Sequence, residues 1–142
     1  MGTWRLISWE MLDGDGHISH PMGRHPIGRL MYTPDGFMSV LITGRDRRRF
    51  IPGDPVIGIP EATISAARRS ISYAGTYERD GEALVHHVEL SSFPDWIGTD
   101  QQRLIDWRDG CLVLYTLPAI VGGKEQAAYL TWERMPASAA RQ

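Results

Sequence analysis

Apolar and polar residues alternate along this chain in short runs, separated by turn residues at near-even spacing. In residues 3–11, Trp4, Leu6, Ser8 and Glu10 fall on one face and Arg5, Ile7, Trp9 and Met11 on the other. That period of two is what a half-buried strand requires. Similar runs follow at residues 17–21, 28–33, 36–42, 73–79, 82–93, 99–108, 111–117 and 126–134. Between them stand Asp13-Gly14-Asp15-Gly16, Thr33-Pro34-Asp35-Gly36, Arg79-Asp80-Gly81 and Arg108-Asp109-Gly110. Glycine supplies the positive φ of a tight turn, and aspartate bonds its own backbone there. About nine short strands in meander order predict an all-β fold, a closed antiparallel up-and-down β-barrel.

Two segments break the rhythm. Residues 44–60 form a long loop rich in Pro and Gly, of the kind that often works as a lid. Residues 61–72 are predicted as one short helix, with Pro60 at its start and Ile64, Ala67 and Ile71 on one face. Such a helix could close one barrel end or move over its mouth. Residues 1–135 are read as a single domain and 136–142 as a disordered tail.

Composition narrows the function. The 142 residues carry a formal net charge of −2, without the basic excess of a nucleic-acid binder. A domain of this length buries roughly two thirds of its unfolded surface and folds without a disulfide or metal. The one cysteine, Cys111, cannot form an intrachain disulfide, which suits a reducing compartment. No run reaches the roughly 18 apolar residues of a membrane span, and no signal-peptide pattern opens the chain, so the expected location is cytoplasmic. The five Trp and five Tyr could fill a barrel core or line an apolar pocket.

Gly2-Thr3-Trp4 at the start of the first strand resembles the Gly-x-Trp opening of lipocalins. Thr131-Trp132-Glu133-Arg134 ends the last strand with an Arg where such barrels often pack one across the opening Trp. A longer set extends over nearly the whole chain: residues 2–10 and 28–36, Tyr73-Ala74-Gly75-Thr76-Tyr77-Glu78, His86-His87-Val88-Glu89, and Phe93-Pro94-Asp95-Trp96-Ile97-Gly98-Thr99. Together these resemble the bacterial and fungal lipocalin-like domain family. The resemblance implies a calycin-type barrel. Relatives with such barrels include small-molecule binders and some cofactor-free cyclases of natural-product pathways.

The strongest chemical constellation lies on two strands joined at Asp80-Gly81. Residues i and i+2 share a face, so Tyr73, Gly75 and Tyr77 lie together, as do His87, Glu89 and Ser91. Leu84, His86, Val88 and Leu90 occupy the other face of the second strand. An apolar interior would point that set inward, His86 among it, and leave His87 and Glu89 outside. A ligand-binding barrel can instead keep polar groups inside, its outer face covered by the helix or a partner subunit. The resemblance favours the second orientation, with His87, Glu89, Tyr73 and Tyr77 as the catalytic set. A carboxylate beside an imidazole stabilises the cation and makes a capable general base.

Arg103, on one face with Gln101, Ile105 and Trp107, could pair Glu89 or bind a ligand oxyanion from inside the barrel, or stand outside as a solvated strand residue. Trp96 could cap the mouth or equally serve as a hydrophobic plug, and Tyr32, Met38, Tyr115 and Trp132 are further wall candidates that could as well fill the core. His17, His20 and His25 lie in an irregular stretch without the fixed geometry of a metal site, so no metal is expected. Cys111 reads as a buried, inert thiol. The run Arg45, Arg47, Arg48 and Arg49 reads as a solvated loop, or as a greeting for a ligand carboxylate or phosphate. No phosphate-cradling loop or dinucleotide fingerprint occurs, so no cofactor is expected.

These readings converge on a barrel that binds a small apolar or amphipathic molecule. It would act as a cofactor-free isomerase or cyclase of secondary metabolism, or alternatively as a non-catalytic carrier or sensor. Shape, a dry cavity and one or two acid–base groups are all that such chemistry needs. Nucleic acid and membrane are not expected partners; a homodimer is compatible with the pattern.

Overall fold

The structure is a computed structural model that describes residues 1–45, 64 and 67–139. Eight strands close a barrel: β1 (Gly2–Asp13), β3 (Ile27–Tyr32), β4 (Phe37–Thr43), β5 (Ser70–Asp80), β6 (Ala83–Ser91), β7 (Asp100–Arg108), β8 (Cys111–Tyr115) and β10 (Lys124–Arg134). Neighbours pair antiparallel, and β1 returns to pair with β10 from Trp4↔Arg134 to Asp13↔Gln126. The short β2 (Ile18–Ser19) adds to the far end of β1, and β9 (Ala119–Val121) hairpins onto β10. Closure leaves the eight barrel strands without a free edge.

Turn chemistry works as the sequence predicts. Asp109 and Gly110 both take positive φ, 53° and 78°, as a two-residue β7–β8 hairpin of matching twist requires. The sequence did not predict β9, whose hairpin turns on Gly122 and Gly123, both also at positive φ.

Strict alternation fails on β1 in an instructive way. Its register against β10 shifts between Leu6 and Ser8, so Ile7 is an extra residue. Such a bulge moves the following side chains to the opposite face. Trp4 and Leu6 therefore point inward before it, and Trp9 and Met11 turn toward the core after it. The expected two-faced strand is in effect apolar inside along its whole length.

The helix expected over residues 61–72 is corrected at its end. Ser70, Ile71 and Ser72 belong to β5 and pair with Thr43, Ile42 and Leu41 of β4. Ladder bonds to a neighbouring strand outweigh a local periodicity of three apolar residues. Ile64, Ala67 and Arg68 are helical, whereas residues 61–63, 65 and 66 lie outside the described residues. The same holds for Asp46 to Pro60, which include Arg47, Arg48 and Arg49. Arg45 donates Nε–H to His25 O at 3.0 Å. No helix among the described residues is long and apolar enough to cross a membrane.

The core runs along the barrel axis. Trp4, Leu30, Met38, Val40, Leu112 and Trp132 are all nearly or wholly removed from water. Each such side chain contributes roughly 1.5–3 kcal/mol of burial.

Candidate functional site

A chain of three hydrogen-bonded side chains crosses the barrel interior. Tyr32 comes from β3, Tyr73 from β5 and His86 from β6. The Tyr32 hydroxyl lies 2.6 Å from His86 Nε2, and the Tyr73 hydroxyl 2.6 Å from His86 Nδ1. His86 is 1% exposed, the one buried polar or charged side chain among the described residues. Burial, then the nearby Arg103 charge and His87, push its pKa from 6.5 down to about 3. The ring is therefore neutral at ordinary pH. A neutral imidazole has one donor and one acceptor, so one phenol donates to His86 and the other accepts from it. Burial also raises both phenols, Tyr32 well above 10, while the Arg103 charge works against the rise.

Above this chain lies an apolar cavity of about 70 Å³. Trp9, Tyr73, His86, Trp96, Arg103 and Trp132 contribute to its walls, with aliphatic side chains from β3, β4, β5, β8 and β10. Arg103 is half-buried in the same wall as Tyr73 and donates Nη1–H to Gln102 O at 2.9 Å. Trp96 sits on a single 3-10 turn, Pro94–Trp96, and meets Tyr73 edge-on at 5.6 Å. The indole N–H of Trp132 is buried and finds no hydrogen-bond partner among the described residues. One wall can thus donate to, or accept from, a single polar group on an otherwise apolar ligand.

Below the chain is a second, wider cleft of about 260 Å³. Tyr32 and Tyr77 face it from above, and Trp4 and Trp107 flank it. Tyr77 donates to Thr33 O at 2.9 Å and meets Tyr32 edge-on at 4.7 Å. Arg134 lies over the Trp4 ring at 5.5 Å, as expected from the ends of the chain.

The expected catalytic pair is not in either space. His87 lies on the outer face, its Nδ1 2.6 Å from Asp100 and its Nε2 2.9 Å from Glu78. Those bonds, Asp100 first, raise its pKa above 6.5. Glu89 is exposed and does not contact His87 in this role: it is the extra residue of a bulge between Gly75↔Val88 and Ala74↔Leu90. The bulge depends on Gly75, where a Cβ would come within 1.9 Å of His87 O. The inward set is Leu84, His86 and Val88, the orientation the sequence left as the alternative. The same bulge turns Leu90 out, 68% exposed.

Of the remaining candidates, Trp96, Arg103 and Trp132 reach the upper cavity with Tyr73, and Tyr32 and Tyr77 reach the lower cleft. Met38 is a buried core residue. Tyr115 is corrected: it stacks on Tyr129 at 5.5 Å, while its strand neighbours Leu112 and Leu114 take the inner face. Pattern reading missed Trp9, because the β1 bulge is invisible to alternation. The signal for His86 was a histidine in step with Leu84 and Val88. His17 does gather with Asp13 and Asp15 in the β1–β2 turn. Asp13 Oδ1 accepts backbone bonds from Asp15 and His17 at 2.9 Å each, which accounts for that grouping as a turn cap.

Two comparisons bear on this arrangement. A family model described as a lipocalin-like domain matches residues 1–135. The chain is also 34% identical over 88 residues to the 4'-hydroxy-3'-methoxypropiophenone carrier protein ppsC of Aspergillus oryzae. That match covers 56% of this chain and 79% of the relative.

Proposed function

The chain belongs to the lipocalin-like domain family, and from that premise we propose that its barrel is a carrier for one small amphipathic aromatic molecule, of the phenol or aryl ketone class. The observation that carries this reading is the upper cavity: apolar on nearly every side, with Tyr73, backed by His86 and Arg103, as its polar corner. Such a corner orients one hydroxyl or carbonyl while the aromatic walls take the ring. The relative named as a carrier of an aryl ketone supports the same class.

Holding is favoured over turning over. The isomerase or cyclase expectation rested on His87 and Glu89 inside the barrel, and both face outward. His86, which does face the cavity, has a pKa of about 3 and is a weak base near neutrality. It serves better as a fixed hydrogen-bond partner.

The cavity of about 70 Å³ is tight. A ring the size of benzene occupies a space of roughly 150 Å³. Binding therefore displaces a wall, and Trp96, half-buried on its short turn, is the lining residue that stands outside the strand ladders.

Titration with 4'-hydroxy-3'-methoxypropiophenone, followed by tryptophan fluorescence, tests the reading. A saturable one-to-one change, with the ligand recovered unaltered by chromatography, is the expected result. No saturable change would remove the carrier reading, and recovery of an isomerised or cyclised product would replace it with the catalytic one.

A further inference from the structure

The lower cleft has a chemistry of its own. Among its described lining residues are two cations, Arg79 and Arg134, and no carboxylate. Its volume of about 260 Å³ exceeds that of the upper cavity, about 70 Å³. The Tyr32–His86–Tyr73 chain stands between the two spaces, with Tyr32 in the wall of the lower and Tyr73 in the wall of the upper.

The walls suit a flat ring. Trp107 is 55% exposed at the mouth, with its ring 6.0 Å from Trp4. A tryptophan left that open on a barrel rim gains burial when an aromatic ligand covers it. Arg79 is fixed by a bond from Nε to Gly81 O at 2.9 Å, a bond that does not use its terminal nitrogens. A guanidinium held in this way matches a carboxylate in bidentate geometry. Trp4, 5% exposed in the same wall, carries an indole N–H without a hydrogen-bond partner among the described residues. An acceptor oxygen would satisfy a donor of that kind.

From these features we infer that the lower cleft is a second binding site, for a small aromatic carboxylate. The ring lies against Trp107 and Tyr77, and the carboxylate is held by Arg79. Arg134, engaged over Trp4, adds field rather than a direct bond. The site is separate from the carrier cavity and does not depend on what that cavity holds.

The test uses 1-naphthoate as the probe, with its neutral amide, 1-naphthamide, as the control. Indole N–H signals in two-dimensional NMR spectra of the full chain locate the binding. The expected result is movement of the Trp4 and Trp107 signals and weaker binding of the amide. Arg79 is exposed near the end of β5, so Arg79→Gln should fold normally and weaken naphthoate at least fivefold. Movement confined to Trp9, Trp96 and Trp132 would place the probe in the upper cavity and overturn the inference. So would equal binding of amide and carboxylate, an unchanged affinity in Arg79→Gln, or no indole shift at millimolar naphthoate.

Discussion

The two faces of the β5–β6 hairpin each carry a histidine bonded through both ring nitrogens, and the two could hardly differ more. Inside, His86 joins two phenols in the dry core and is held neutral, with its pKa pushed to about 3. Outside, one residue along the chain, His87 joins the carboxylates of Asp100 and Glu78 on neighbouring strands, and its pKa is raised. Burial penalises the charged ring in the first case, and anionic partners in water favour it in the second. Charge state follows from the face of the sheet, and the face follows from a parity of one residue.

The contrast is sharpest in acid. His86 binds its proton at pH 6.5 when unfolded and near 3 when folded, so the unfolded chain holds more protons between those values. Its contribution to stability is present above pH 6.5 and is lost as pH falls toward 3, by on the order of 4–5 kcal/mol. Urea titrations across this range should show that loss, and in His86→Leu the acid dependence should shrink by a comparable amount. If the variant keeps the full dependence, the inner ring is not the group responsible.

At neutral pH His86→Leu should itself cost about 2–4 kcal/mol, because it strands two buried phenol hydroxyls. It should also weaken binding of the aryl ketone at least tenfold. Tyr73→Phe removes one link and leaves the packing; a loss of about 1–2 kcal/mol and a weakening of roughly fivefold are expected by the same two measurements. If either variant binds the ketone as the native chain does, the polar corner plays no part in recognition.

The smallest effect belongs to the outer face. His87→Gln should leave ketone affinity within about twofold, since His87 does not line the cavity. Its raised pKa means that its contribution is fully present below pH 6.5 and fades as pH climbs through the folded value. Thermal unfolding should therefore separate His87→Gln from the native chain more at pH 5 than at pH 9. The opposite order would mean that the outer ion pairs do not hold the ring charged.

That one-residue parity also explains what was legible in the sequence. Strand positions, the meander order and the barrel could be read because turn glycines and alternation are local signals. On β7, which has no register shift against β6 or β8, alternation groups Arg103, Ile105 and Trp107 on one face but does not say which way that face turns. Where a bulge intervenes, at Ile7 and at Glu89, alternation gives the wrong face beyond it, and no local residue type announces the slip. Gly75 is intelligible only in retrospect, once His87 O is seen against it. The helix over residues 61–72 was overextended because Ile71 satisfies a helical and a strand pattern equally; only its partner Ile42 on β4 decides between them.

The pairing of β1 with β10 has a kinetic consequence. The other barrel pairings join strands nearer in sequence, the widest gap being residues 44–69 between β4 and β5, whereas Trp4↔Arg134 brings together residues from opposite ends of the described barrel. Loop-closure entropy makes so distant a contact slow to form, and hairpins such as β5–β6 can form long before it. Until that seam zips, the sheet is an open ribbon with Trp9 and Trp132 on separate ends, and the upper cavity has no wall on that side. In refolding experiments, the ability to capture ligand should therefore appear with the last phase, after most of the β-structure signal has already returned.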